Sequence, residues 1–205
     1  GMGAVASLSR PEGNITGVSF LSSELAGKRV QLVHDLIPAA RRMALVWDSR
    51  NANARAESAA TVAAAASLGL EAERYPVASD AELRAALERI QSTRPDALYV
   101  AFEGGIAASN RTLIAEFGLR QRLPIVSGWG FLTDAGGLVS YAPNLPAMFR
   151  RSASYVDSIL KGAKPSELPI EQASTVELVI NMKTARQLGI AVPQAMLIRA
   201  DRVIK

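Results

Sequence analysis

A doubly wound α/β domain on a parallel sheet is the fold this sequence predicts, and three observations predict it. Short apolar runs alternate with amphipathic helical stretches about every 25–30 residues, the rhythm of strand–helix–strand crossovers. One run, Asp96 to Phe102 (DALYVAF), is apolar almost throughout, as a strand covered on both faces must be. The composition, 49% hydrophobic but only 5% aromatic, suits small-residue helices packed on a sheet rather than a base-stacking surface.

Arg42 to Trp47 (RMALVW) opens the pattern as a short strand, followed by a helix that Asn51 or Asn53 caps and Gly69 ends. Glu71 to Val77 alternates in polarity and carries Pro76, which cannot donate to a ladder and so belongs at a sheet edge. Ser79-Asp80-Ala81-Glu82 is a capping box, and the helix it starts puts Leu83, Ala86, Leu87 and Ile90 on one face. A helical segment from about Ile106 to Arg120 follows the central strand. Pro124 to Ser127 and Gly137 to Tyr141 add two strands, and Asn144 caps a helix with Pro146 in its first turn and Gly162 beyond its end. The five runs between Arg42 and Tyr141 are expected to form a parallel sheet in the order 2-1-3-4-5, the Pro76 strand outermost. Outside this core lie Asn14 to Phe20, a linker from Lys161 to Pro169, a strand-like Val176 to Ile180, a short helix to Leu188 and an apolar tail that needs a surface to pack on.

At 205 residues the chain is long enough for one substantial core and an appendage. The net charge of +4 is spread over scattered pairs such as Arg41-Arg42 and Arg150-Arg151, which reads as solvated surface rather than a nucleic-acid footprint. With no cysteine there is no disulfide or thiolate chemistry. The single histidine, His34, falls on the polar edge of a helix whose apolar side is Leu25, Leu32, Val33, Leu36 and Ile37, and reads as a surface residue. No run of about 18 apolar residues occurs, the first residues lack the basic-then-apolar pattern expected of a secretory leader, and Gly1 before Met2 reads as a tag scar. Gly128-Trp129-Gly130 begins like a dinucleotide fingerprint but has Thr133 where the third glycine belongs, and no nucleotide-loop, zincin or hydrolase motif occurs, so neither cofactor, metal nor catalytic residues are expected.

Three long segments carry a resemblance. SLSRPEGNITGVSFLSSELAGKRVQLVHDLIP, DAGGLVSYAPNLPAMFRRSASYVDSILKGAKPSELPIEQ and ELVINMKTARQLGI, in this order and spacing, resemble signature segments of ABC transporter substrate-binding proteins of the tryptophan/tyrosine type. The resemblance implies a type I periplasmic binding protein, two Rossmann-like lobes enclosing a solute, with most of the first lobe absent from this chain. On that basis residues 1–41 are a crossing segment and first helix, 42–162 the second lobe, and 163–205 a linker and tail returning toward the first lobe. It further implies a non-catalytic, exported or periplasmic protein that captures an amino acid or aromatic acid for an ABC permease, and a chain that self-associates to cover surface left bare. The other reading, a cytosolic ligand sensor or small α/β enzyme sharing only the architecture, stays open here.

In open α/β sheets ligands sit beyond the carboxyl ends of the strands. Those positions are Asp48, Ser49 and Asn51 after the first strand, Glu103 and Gly104 after the third, Ser127 and Trp129 after the fourth, and Tyr141 after the fifth. Their carboxylates and hydroxyls suit a zwitterion, and the two aromatic rings suit an apolar part. Asp48, Ser49 and Asn51 equally suit a helix-entry turn.

Overall fold

Alternating apolar runs and capped helices yield, in chain order, β1 (Val18–Ser19), α1 (Ala26–Leu36), β2 (Arg42–Asp48), α2 (Ala52–Ser67), β3 (Glu71–Val77), α3 (Asp80–Thr93), β4 (Ala97–Ala101), α4 (Ile106–Ser109), α5 (Arg111–Arg120), β5 (Ile125–Ser127), α6 (Gly130–Ala135), β6 (Val139–Pro143), α7 (Leu145–Leu160), β7 (Glu171–Gln172), β8 (Val176–Asn181), α8 (Met182–Leu188), α9 (Gln194–Arg199) and β9 (Arg202–Ile204). This is a computed structural model, and it describes residues 5, 7–20, 22–101 and 104–205. The chain divides into a larger unit, Ser22–Ala142 with Glu177–Lys205, and a smaller one, Gly1–Leu21 with Pro143–Val176.

The larger unit is built on a seven-stranded sheet in the order β3-β2-β4-β5-β6-β8-β9. Its first five strands are the parallel set read from the sequence, with Pro76 on the outermost strand, where a missing N–H leaves no ladder bond unmade. β8 and β9 pair in parallel with each other. β8 runs back along β6: the Asn181 N–H donates to the Leu138 carbonyl and that of Asn144 to Thr175, so partner numbers fall on one strand as they rise on the other. Val30, Leu45, Tyr99, Val126 and Ile180 form a core with α1, α2 and α9 on one face. Leu83, Val46, Val100, Phe117 and Leu132 form a second core with α3, α5 and α6 on the other. β4 is buried at every position because it lies between these two layers.

The capping signals act as read. Asn51 accepts from the N–H groups of Asn53 and Ala54, and Asn144 from that of Ala147. Ser79 accepts from the Glu82 N–H at 3.2 Å, while the Glu82 carboxylate takes the Ala78 N–H at 2.9 Å. Removing the hydroxyl in Ser79→Ala is expected to cost about 1 kcal/mol, read as a lower urea midpoint at unchanged slope. The helix expected over 106–120 is two, broken at Asn110, whose amide turns aside to Asp80 Oδ1 at 2.8 Å and to the Ile106 carbonyl.

In the smaller unit β1 pairs in parallel with β7, and Thr16 Oγ1 donates to the Leu168 carbonyl. Arg151 forks onto both Glu171 oxygens and lies over the Tyr155 ring, whose hydroxyl donates to the Pro169 carbonyl at 2.6 Å.

α7 falls in the smaller unit. β8, α8, α9 and β9 join the larger unit's sheet and core, burying Leu178, Ile180, Ala185 and Met196.

Candidate functional site

Strand register aligns the carboxyl ends of four strands along one edge. Trp47 pairs with Ala101, Val100 with Ser127, and Ser127 with Ser140, so the carboxyl ends of β2, β4, β5 and β6 lie in a row.

At the β2 end the Asp48 carboxylate is nearly buried and accepts from Arg50 three times: from the backbone N–H at 3.0 Å, Nε at 3.2 Å and Nη2 at 3.2 Å. The Arg50 side chain's hydrogen bond, outweighing the penalty of burial, holds this carboxyl below its ordinary range, so it is charged at neutral pH. Arg50 itself is largely exposed. Asp48 also reaches across to the turn before α4, accepting the Ile106 N–H. Gly105 makes that turn with φ +56°, and a Cβ there would stand 3.1 Å from Asp48 Oδ2. Ser49 is tied to the Val77 carbonyl through both its N–H and its hydroxyl, and the Asn51 side chain is occupied by its cap. Gly104, half-buried, opens the same turn; Glu103 lies outside the described residues.

After β5, the buried Ser127 hydroxyl donates to the Trp129 carbonyl at 3.1 Å and shapes the short turn into α6. Trp129 is 8% exposed, a well-packed residue of a strand-to-helix turn. Tyr141 departs from the group: its ring packs on the core beneath α1 and lines a groove on that face of the sheet, because strand alternation turns 139 and 141 to the same side.

The sequence reading missed two features. Arg29, on α1, is wholly buried and donates Nε to the Tyr141 carbonyl at 2.7 Å, and Nη1 to the Ser22 carbonyl, Glu57 Oε1 and the Tyr99 hydroxyl. Tyr99 in turn donates to Glu57 at 2.7 Å, and burial, reinforced by the Glu57 charge, raises its phenol above the ordinary range. The guanidinium also lies under Gly128, where a Cβ would come 3.3 Å from Cζ. A sequence signal existed: Arg29 is spaced +3 from Ala26 and −4 from Val33 on the apolar face, as Glu57 is +3 from Ala54 on α2. Ser140, paired with Ser127 at this end of the sheet, and Thr133 on α6 are the second feature, their hydroxyls buried without a hydrogen-bond partner.

Among the described residues no group of three or more His, Asp or Glu side chains is placed to hold a metal ion, and no helix is long and apolar enough to cross a membrane. The edge gathers backbone dipoles, the Asp48 carboxylate and the Trp129 indole.

Comparison with known proteins agrees with this fold. An ABC domain from Streptococcus pneumonia in complex with L-Trp matches with a TM-score of 0.89 at 30% identity, covering 98% of this chain and 68% of that one. A conserved domain protein from Vibrio cholerae matches with a TM-score of 0.89 at 27% identity, over 97% of this chain and 66% of that one. The tyrosine-binding protein of Clostridioides difficile is 21% identical over 187 residues, 91% of this chain and 53% of that protein, so the chain spans about half the length of this curated relative. The family described as ABC transporter substrate binding protein matches residues 1–204. With that match running over nearly every residue, on a sheet of the required topology, the chain belongs to the ABC transporter substrate-binding protein family.

Proposed function

We propose that this chain forms part of the solute-binding component of an ABC uptake system. It holds an L-amino acid with an aromatic side chain, or an aromatic acid, against the carboxyl edge of β2, β4 and β5. The solute then passes to a membrane permease without chemical turnover, on the outer side of the membrane. The observation that carries this reading is the clustering of Asp48, Ser127 and Trp129 at one sheet edge in a chain whose relatives include an L-Trp complex and a tyrosine-binding protein. Asp48 serves the ammonium group by exchanging its Arg50 partner, and Trp129 offers an apolar wall. Family membership favours this over a cytosolic sensor or an α/β enzyme alike only in architecture.

Calorimetry with L-tryptophan, L-tyrosine and L-phenylalanine tests the reading. One of the three is expected to bind, and Trp129→Ala and Asp48→Asn are each expected to weaken it about tenfold, or about 1.4 kcal/mol. Binding of none, or equal binding by both variants, rejects the assignment.

A further inference from the structure

The chain between β6 and β8 leaves the larger unit, since α7 lies in the smaller one. Within the larger unit, α1 and α9 flank a groove of ≈ 400 Å³ on one face of β6 and β8. Tyr141 and Leu178, neighbours on the antiparallel pair, form its floor, with Leu32 of α1 and Met196 of α9 as walls.

Two cations line one end. Lys28 adjoins Arg29, whose Nε bonds the Tyr141 carbonyl, and Arg199 stands just before Asp201, whose N–H bonds the Leu178 carbonyl at 2.9 Å. Both therefore border the groove at the level of Tyr141 and Leu178. Among the described residues neither side chain makes a hydrogen bond or ion pair. The carboxylate in the lining, Asp35, lies two turns along α1 and is held by Gln31 Nε2 at 2.6 Å. Its His34 neighbour is 3.8 Å away.

Size selects the class of occupant. A helix is about 10–12 Å across, and a stable protein interface covers about 800 Å² per partner, whereas small-ligand pockets run about 300–1,000 Å³. From Lys28 to Asp35 the groove follows α1 for ~10 Å at about 1.5 Å per residue. That length along an apolar floor suits a flexible hydrocarbon, and the paired cations suit an anionic head.

We propose that this groove is a second binding site, for a monocarboxylate with a hydrocarbon body, of the chemical class of medium-chain fatty acids. The carboxylate sits between Lys28 and Arg199, and the chain lies over Leu32, Leu178 and Met196. The site is separate from the carboxyl-edge site and does not depend on the function proposed for it.

Octanoate is the probe, titrated into the full chain by calorimetry beside neutral 1-octanol. Lys28→Gln with Arg199→Gln is expected to weaken octanoate at least about tenfold and leave 1-octanol unchanged. Ala195→Trp, placing an indole from an exposed position into the groove, is expected to abolish binding of both. Neither change is expected to alter binding of an aromatic amino acid at the carboxyl edge, so failure of one site is told apart from failure of the other. Absence of octanoate binding at millimolar concentration, equal affinity in the double variant, or competition between octanoate and L-tryptophan overturns the proposal.

Discussion

Arg29→Ala is expected to lower the free energy of unfolding by about 3–5 kcal/mol, because it leaves the Glu57 carboxylate charged and without its cation in a dry interior. Both side chains are only 1% exposed. The substitution also strips donors from the Ser22 and Tyr141 carbonyls. Urea denaturation followed by circular dichroism reads the effect. Combining Arg29→Met with Glu57→Leu is expected to restore most of the loss, since apolar groups of similar volume replace a buried ion pair at little cost. A loss below about 1 kcal/mol in Arg29→Ala would mean that the cluster is well hydrated.

Gly118→Ala is expected to destabilise the chain by about 1–3 kcal/mol, against the gain of about 1 kcal/mol that alanine brings to an open helix position. Gly118 sits in α5 directly against β5, where a Cβ would fall 2.5 Å from Ile125 Cδ1 and 3.0 Å from the Leu123 carbonyl. Ile125 is itself buried in the second core and has no room to retreat. Gly27, on the exposed side of α1 with its nearest such contact at 4.0 Å, is the matched control, and Gly27→Ala is expected to stabilise. Thermal melts of the two variants should move in opposite directions.

The parallel half of the sheet was legible because its signals are local. Pro76 names an edge, five consecutive apolar residues name a central strand, and Ser79, Asn51 and Asn144 name helix starts. What could not be read depends on distant partners. Val176 to Ile180 looked like a strand, but nothing in its own residues says that it pairs with β6, more than thirty positions earlier, rather than with another domain. The same holds at the candidate site. Positions after each strand were found by rule, yet the rule gave no side-chain direction, so Tyr141 was placed at the edge although its ring turns toward α1. Arg29 went unseen because an arginine on an apolar helix face makes sense only once Glu57 and Tyr99 are known to meet it.

The excursion of residues 143–176 into the smaller unit also sets an order of events during synthesis. β2 to β6 can pair as they emerge, but β8 and β9 of the same sheet arrive only with the segment Glu177–Lys205. Until then β6 is an open edge, its unpaired amides and carbonyls available to any other extended chain. Closing that edge waits for a long loop to return, a slow step in a folding pathway and one that exposes the intermediate to aggregation. Chains arrested before residue 177 should therefore demand chaperones more than chains extended through β9 do, and the short pair β8–β9 acts as the seal that closes this edge of β6.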